Sequence, residues 1–485
     1  YQRIIQSNRT HVEQHGIGNA LARPYFHVIL PLSRMRDKRT NLHWGRETFK
    51  HRFGFEPMGL WLPEMAFDME TLQAVRAAGF TYTILSQKQV VNSPEGGPYW
   101  VDLENGEQLA VFIRNDTLSD DLSFNIGNIG GAGHWARSVL GARTSRADKL
   151  TLIAVGGETF GHHHLGEEQF LKWLLQNEAS AVGYKVITLN ELLREKPPQE
   201  TVTLKMFSSW SCPHGVARWV TGCPCTEGDS TWKGALRRAL DNTSADLAEL
   251  YQDAVRPFGL NPWVLRDSYI HVILGDQLPA AYLAEKLGTL TSEQEQRIHG
   301  LLEAQKYLLR AYNSFTFFYE DLDRPEPHYA IANAAYAIQL TRQATGADLG
   351  RRFRNELYIA NSQRSHFNGA ELYDRVMEEY FAPPPKVVVE SGGNPGEPGA
   401  AGSGPAVGST ALEGPADAPP DHAQGAPHAA AEDSILSDNH GTNGNSSALS
   451  APAEGHALYV PPNGSIEEPD TDGLTPGDAP DPTAG

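Results

Sequence analysis

Over the first 200 residues, short continuous apolar runs alternate with amphipathic stretches. Residues 26–30, 59–63, 82–85, 109–113, 150–155 and 186–189 are strand candidates. Several are unbroken Val, Ile and Leu runs rather than in-out alternations, the pattern of parallel strands covered on both faces. A helix is predicted between the second and third. Asp68 is a suitable N-cap, Glu70 favours the positive helix start, Met69, Leu72, Val75 and Ala78 recur at helical spacing, and Gly79 stops it. Strand, helix, strand in so short a span is a βαβ unit, and its repetition points to an α/β barrel or an open α/β sheet.

From about 200 to 382 the texture changes. Strand-like runs give way to long helical patterns at 233–253, 279–287, 292–311, 327–345 and 349–361. From 383 onward Pro, Gly, Ala, Ser, Asn and Asp dominate and aromatic residues are scarce. Such a segment buries too little apolar area to offset its ordering entropy, so it is expected to be disordered. The expected organisation is an α/β domain over 1–200, a helical domain over 201–382 and a disordered acidic tail over 383–485.

The formal charge of −19 on 485 residues alters little once it is located. From Lys386 to the end there are 15 acidic residues and one Lys, so the tail carries −14 and the rest of the chain −5. No basic nucleic-acid footprint is present. No apolar run is long enough for a membrane span, and no signal peptide opens the chain. The cysteines, Cys212, Cys223 and Cys225, are few and odd in number. That usage favours a reducing compartment, hence the cytoplasm.

Candidate chemistry gathers after the apolar runs. In Trp61-Leu62-Pro63-Glu64-Met65-Ala66 a carboxylate follows a strand candidate and precedes the helix capped by Asp68. Glu64 therefore falls in a βα loop, where α/β barrels place catalytic groups, although acidic residues near helix starts are also common for electrostatic reasons. Trp61 offers a flat apolar face for a sugar ring. Gly156-Gly157-Glu158-Thr159-Phe160-Gly161-His162-His163-His164 follows the run at 150–155. Adjacent side chains on an extended segment point to opposite faces, so at most two of these His could share a metal; hydrogen bonding to a polar ligand by His162 and His163 fits better. His27 lies in a predicted strand, where a core role is more common than a catalytic or substrate-binding one. Asp116 follows the run at 109–113 together with Arg114 and Asn115. Cys212, His214, Cys223 and Cys225 form a sufficient set for a closed zinc site, yet the Cys-x-Cys spacing is tighter than usual, and reduced, buried thiols are the favoured reading.

Taken in order, these segments resemble glycoside hydrolase family 57, the α-amylase, glucanotransferase and branching-enzyme group. More closely they resemble its bacterial branch carrying domain of unknown function 3536. The likeness rests on Gly18-Asn19-Ala20 through Leu32 with His27, on 59–64, on 156–164, on Ser208-Ser209-Trp210-Ser211-Cys212-Pro213-His214-Gly215, and on Phe317-Phe318-Tyr319-Glu320-Asp321. It implies a (β/α)7-type barrel followed by a helical domain, an α-glucan substrate, and retaining chemistry without a metal or other cofactor. Glu64 matches the family's nucleophile. The family's second motif, Asp-x-Glu-x-Phe-Gly-His, places its general acid/base Asp where this chain has Gly156, while Glu158, Phe160, Gly161 and His162 are kept.

That departure matters because retaining glycosidases set two carboxyl groups about 5–5.5 Å apart. Losing the acid removes assistance worth about 10²–10⁴-fold. Glu158 is the nearest substitute, two residues on, displaced by roughly 6.6 Å on an extended chain. Nothing before His27 matches the family's opening strand, so the barrel is expected to lack its first strand. Three readings follow: a retaining α-glucan enzyme, a catalytically impaired glucan-binding or subunit homologue, and a metal-dependent carbohydrate deacetylase. The partner in the first two is an oligo- or polysaccharide.

Overall fold

The structure, a computed structural model, describes residues 2–92, 94–143 and 149–381. The expected disordered tail lies outside the described residues.

Among the described residues four strands form one sheet: β1 (Gly59–Leu60), β2 (Tyr82–Ser86), β3 (Gly96–Asp102) and β4 (Gln108–Arg114), in the order β1-β2-β4-β3. The first three in that order run parallel, and β3 pairs antiparallel with β4 as a hairpin. Every residue of β2 is buried, as are Leu109 to Arg114 of β4, because both faces are covered. Helices α1 (Gln2–His15), α2 (Met35–Phe53), α3 (Met69–Ala77) and α4 (Asp116–Phe124) complete the first half. The predicted cap of α3 is present, with Asp68 Oδ1 accepting the Thr71 amide at 2.7 Å. Asn115 caps α4 by accepting from Leu118 N at 2.9 Å.

Three strand candidates depart from expectation for local reasons. Residues 26–30 form a single bridge, Val28 to Asn313, and then a 3₁₀ turn over Leu30–Leu32. Pro31 supplies no amide to a ladder and fixes its own φ, so the chain turns there. Residues 150–155 stay out of the sheet. They retain strand-like alternation, with Leu150, Leu152 and Ala154 in one apolar cluster and Ile153 and Val155 in another. Their backbone instead bonds the rim of the sheet, through Asn115 N to Leu152 O at 2.7 Å and Ala154 N to Ser119 Oγ at 3.1 Å. At 186–189 a capping box wins: Thr188 and Glu191 satisfy each other's backbone and start the helix Leu189–Glu195. On the open side of β1, Ala22 takes a strand-like place, accepting from Trp61 N at 2.8 Å and donating to Gly59 O at 3.0 Å.

Residues 200–205 run along the outside of the hairpin. Trp100 N donates to Glu200 O at 2.8 Å and Val202 N to Trp100 O at 2.9 Å. Farther on, Val91 N donates to Thr203 O and Lys205 N to Gln89 O, each at 2.9 Å.

The second half is helical, with Trp232–Val255, Pro262–Ser268, Pro279–Leu287, Ser292–Ala311, Pro325–Thr345, Gly350–Leu357 and Gly369–Phe381 as its main helices. Trp219, Trp232, Leu236, Leu240, Leu301 and Phe317 are central to its core, which also takes in Ile29 and Ala66 from the first half. Arg266, 1% exposed, ties the halves together. Its guanidinium contacts Asp37 at 2.8 Å, Gln305 Oε1 at 2.9 Å and Thr40 Oγ1 at 2.8 Å. A buried guanidinium satisfied this fully costs several kcal/mol to disrupt from one side, on the order of 3–5 kcal/mol. No helix among the described residues is long and apolar enough to cross a membrane.

Candidate active site

Glu64 follows β1 in a short 3₁₀ turn, Pro63–Met65, with φ at +55° and Met65 at +47°. Two successive side-chain-bearing residues in the left-handed region cost roughly 1–3 kcal/mol each and persist only where surroundings impose them. Here the surroundings are identifiable. Gln89 Nε2 donates to Met65 O at 2.8 Å, Phe67 N to Ser208 O at 3.3 Å and Trp210 N to Glu64 O at 3.1 Å. Ser211 Oγ donates to Glu64 Oε2 at 2.6 Å. The other oxygen, Oε1, has no hydrogen-bond partner among the described residues.

Burial pushes the Glu64 carboxyl above its ordinary range, and the Ser211 hydrogen bond and the Arg218 charge pull the other way. Tyr319 is near enough for the Glu64 charge to help raise its phenol, after burial and Glu326. The guanidinium of Arg218 stacks on Phe318 at 4.4 Å. Ser211 thus holds the carboxylate, and Arg218 and Tyr319 lie within electrostatic reach of it, all from sequence positions far beyond it. The sequence reading did not single them out, although Ser211 and Tyr319 fall within segments that carried the family likeness.

The remaining candidates are distributed as follows. Trp61 is partly buried in a cluster with Met65, Tyr82, Trp100 and Trp210. The Arg114 guanidinium lies over the Trp210 ring at 4.6 Å, and Trp61, Trp100 and Trp210 are the partly exposed indoles of that cluster. Asp116 is buried and bonded: Oδ2 accepts from Ser86 Oγ at 2.7 Å and Lys88 N at 3.1 Å, and Oδ1 from Arg114 Nε at 2.7 Å. His27 hydrogen-bonds Ser314 Oγ through Nδ1 at 2.7 Å and stacks on Phe315, with ring centroids 5.1 Å apart.

Glu158 is exposed, in a turn where His162 N and His163 N both donate to its own backbone carbonyl, at 3.2 and 2.9 Å. The His162 and His163 rings are exposed and 5.1 Å apart. Among the described residues no hydrogen bond joins Glu158 to Glu64, whose carboxylate is held by Ser211. One detail connects Glu158 with the missing acid. Its Oε2 lies 3.0 Å from where a Cβ on Gly156 would stand, so the longer side chain folds back into space an Asp at 156 would occupy. Among the described residues, none of His162, His163 and His164 joins a group of three ligand-capable side chains; such groups are Cys212, His214, Cys223 and Cys225, and His11, His15 and Glu191.

Residues 2–205 match glycosyl hydrolase family 57, and residues 229–391 match domain of unknown function 3536. Among solved structures, an exo-type maltose-forming amylase from Pyrococcus sp. ST04 is similar over 74% of this chain and 70% of its own, at 14% identity and a TM-score of 0.59. A GH57-type branching enzyme from Pyrococcus horikoshii is 18% identical over 77% of this chain and 71% of its own, with a TM-score of 0.49. The alpha-amylase AmyC from Thermotoga maritima is 13% identical, with 76% of each chain covered and a TM-score of 0.47. The amylase from Pyrococcus sp. ST04 shares the fold, a (β/α)7-type barrel followed by helices. No curated protein matches the sequence.

Proposed function

The chain belongs to glycosyl hydrolase family 57, and on that premise we propose that it acts on α-glucan by a retaining mechanism with Glu64 as nucleophile. The observation that carries this reading is the clamp on Glu64. A half-buried carboxylate is held in strained backbone geometry, with one oxygen fixed by Ser211 and the other without a hydrogen-bond partner among the described residues. In the proposed reaction the ionised Glu64 Oε1 attacks the anomeric carbon, the glycosidic C–O bond breaks, and a glycosyl ester forms on the enzyme. Water then cleaves the ester with net retention. Trp61 and Trp210 present ring faces for the sugar, and Arg218 favours the ionised nucleophile. Glu158 is the proposed proton donor to the leaving oxygen and the base for the water. We place the protein in the cytoplasm, in keeping with three unpaired thiols, with an oligo- or polysaccharide as its partner and no nucleic acid.

A second reading, a glucan-binding homologue with impaired turnover, is favoured by Gly156, which offers no carboxylate where the family motif has one. Intact-mass analysis after incubation with α-maltosyl fluoride tests the nucleophile independently of the missing acid, because fluoride departs without protonation. A glycosyl adduct on the wild type, absent from Glu64→Gln, is the expected result. No adduct and no fluoride release would leave the binding role.

A further inference from the structure

The loop that clamps Glu64 has almost no regular structure of its own, which raises the question of what holds the loop. Between Met206 and Thr231 the chain forms one 3₁₀ turn, Ala217–Trp219. It turns sharply at Gly215 and Gly222, with φ at +69° and +93°. A Cβ would lie 2.2 Å from Phe207 O at the first and 2.2 Å from Ser230 Cβ at the second. These turns bring two short pairs together: Cys212 with His214, and Cys223 with Cys225.

We propose that Cys212, His214, Cys223 and Cys225 bind one zinc ion in a closed site, and that this ion positions Ser211 and Arg218 against Glu64. All four donor atoms lie within 4.8 Å of one another. Cys212 Sγ is 3.5 Å from Cys223 Sγ and 3.9 Å from His214 Nδ1, and Cys225 Sγ is 3.3 Å from His214 Nδ1. A tetrahedral zinc with bonds of about 2.3 Å to sulfur and 2.0–2.1 Å to nitrogen sets its donors about 3.5–3.8 Å apart. The cluster is therefore at metal-binding dimensions. Three thiolates and a neutral imidazole suit zinc among the divalent ions and leave no open position for substrate, so the role is structural. With His214 Nδ1 as ligand, its remaining proton sits on Nε2, toward solvent.

The charge around the cluster agrees. Zinc with three thiolates carries a net −1, and two buried cations stand beside it. Arg218 Nη2 donates to Cys225 O at 3.1 Å, and Lys233 Nζ donates to Arg218 O at 3.2 Å. The link to the nucleophile is covalent and short. Ser211 precedes Cys212, and Arg218 lies between His214 and Cys223. This second half of the proposal rests on the reading of Glu64; the metal half does not.

Elemental analysis of the full chain is the first test, with one zinc per chain expected. Cys225→Ser is the informative variant because Cys225 is exposed, so its loss should leave packing intact. It should lose most of the metal, whereas His11→Ala, in the other ligand-capable group, should retain it. On the wild type, which avoids any folding objection, a mercurial should release the zinc as three thiols react. A protein without zinc, one holding iron, or one with a Cys212–Cys223 disulfide would each overturn the assignment. For the positioning role, hydrogen exchange at 206–216 and 62–67 should quicken by about ten-fold or more when the zinc is removed. Unchanged exchange would refute positioning while leaving the metal site standing. This readout needs no turnover, so failure of the glycosidase reading would be seen separately, as absence of the maltosyl adduct.

Discussion

Glu64 and Glu158 sit in two loops that are held in opposite ways. Around Glu64 the backbone is strained, and Ser211, 147 positions away, grips the carboxylate while Trp210 bonds the backbone. Around Glu158 the contacts are local: the amides of His162 and His163 return to its own carbonyl, and Gly161 N bonds His164 O at 3.0 Å. A loop whose Glu158 and Gly156 face solvent, anchored to the fold through Phe160 and through His164 to Ser123 O, can exchange an Asp for a Gly at 156 with little effect on the rest of the fold. A residue held through both its backbone and its carboxylate by the distant Trp210–Ser211 segment is tied to the packing of that segment. The side of the site that carries the proposed nucleophile is thus built into the fold, and the side that carries the proposed acid is attached to it.

The largest effect should come from removing the clamped carboxylate. Glu64→Gln is expected to lower glycosylation by α-maltosyl fluoride by roughly 10⁴-fold or more, judged from other nucleophile deletions. The same variant should be at least as stable as the wild type. A carboxyl raised by burial favours the folded state below its unfolded pKa, and that contribution is lost as pH rises through the folded pKa. Melting curves of the two proteins should therefore coincide in acid and separate toward neutrality, with the Gln variant higher. A wild type that melts higher at pH 7 would contradict the burial argument.

Supplying the absent group sharpens the contrast. Gly156→Asp should speed hydrolysis of α-glucosides with poor leaving groups by about 10²–10⁴-fold, leaving fluoride release unchanged. Glu158 Oε2 must yield, since it stands 3.0 Å from the new Cβ, but it is the end of a flexible side chain. If the variant folds and gains nothing, the missing acid is not what limits turnover. Glu158→Gln tests the substitute directly: a loss of up to about 10²-fold, confined to substrates that need protonation, identifies it as a working donor.

The smallest expected change is at the clamp itself. A hydrogen bond to a charged group contributes about 1.5 kcal/mol at the lower end of its range, so Ser211→Ala should slow glycosylation by about ten-fold or somewhat more. Loss of that bond also raises the Glu64 carboxyl further, so the acid limb of the pH profile should move to higher pH. An unshifted limb would mean that Ser211 only packs against the site.

What was legible in the sequence was local. The order of apolar run, Glu64 and Asp68 located the loop between β1 and α3, and the helices at Pro279–Leu287 and Ser292–Ala311 agree with the hydrophobic period. Two strand errors had visible local signals, Pro31 in one case and the Thr188-x-x-Glu191 box in the other. Ser211, Arg218 and Tyr319 had no such signal, because their importance depends on a long-range approach that no spacing rule encodes. Asp116 looked like a loop acid and is largely absorbed by Arg114 and Ser86.

The run of residues 200–205 beside Trp100 bears on how the chain can be divided. These residues supply the backbone partners that β3 lacks on its outer side. A fragment ending before Glu200 would present the amide and carbonyl of Trp100 to solvent on a bare strand margin, a template on which a second molecule can add its own strand. Proteolytic or recombinant trimming near that point should therefore yield aggregates, and fragments that keep 200–205 should stay dispersed.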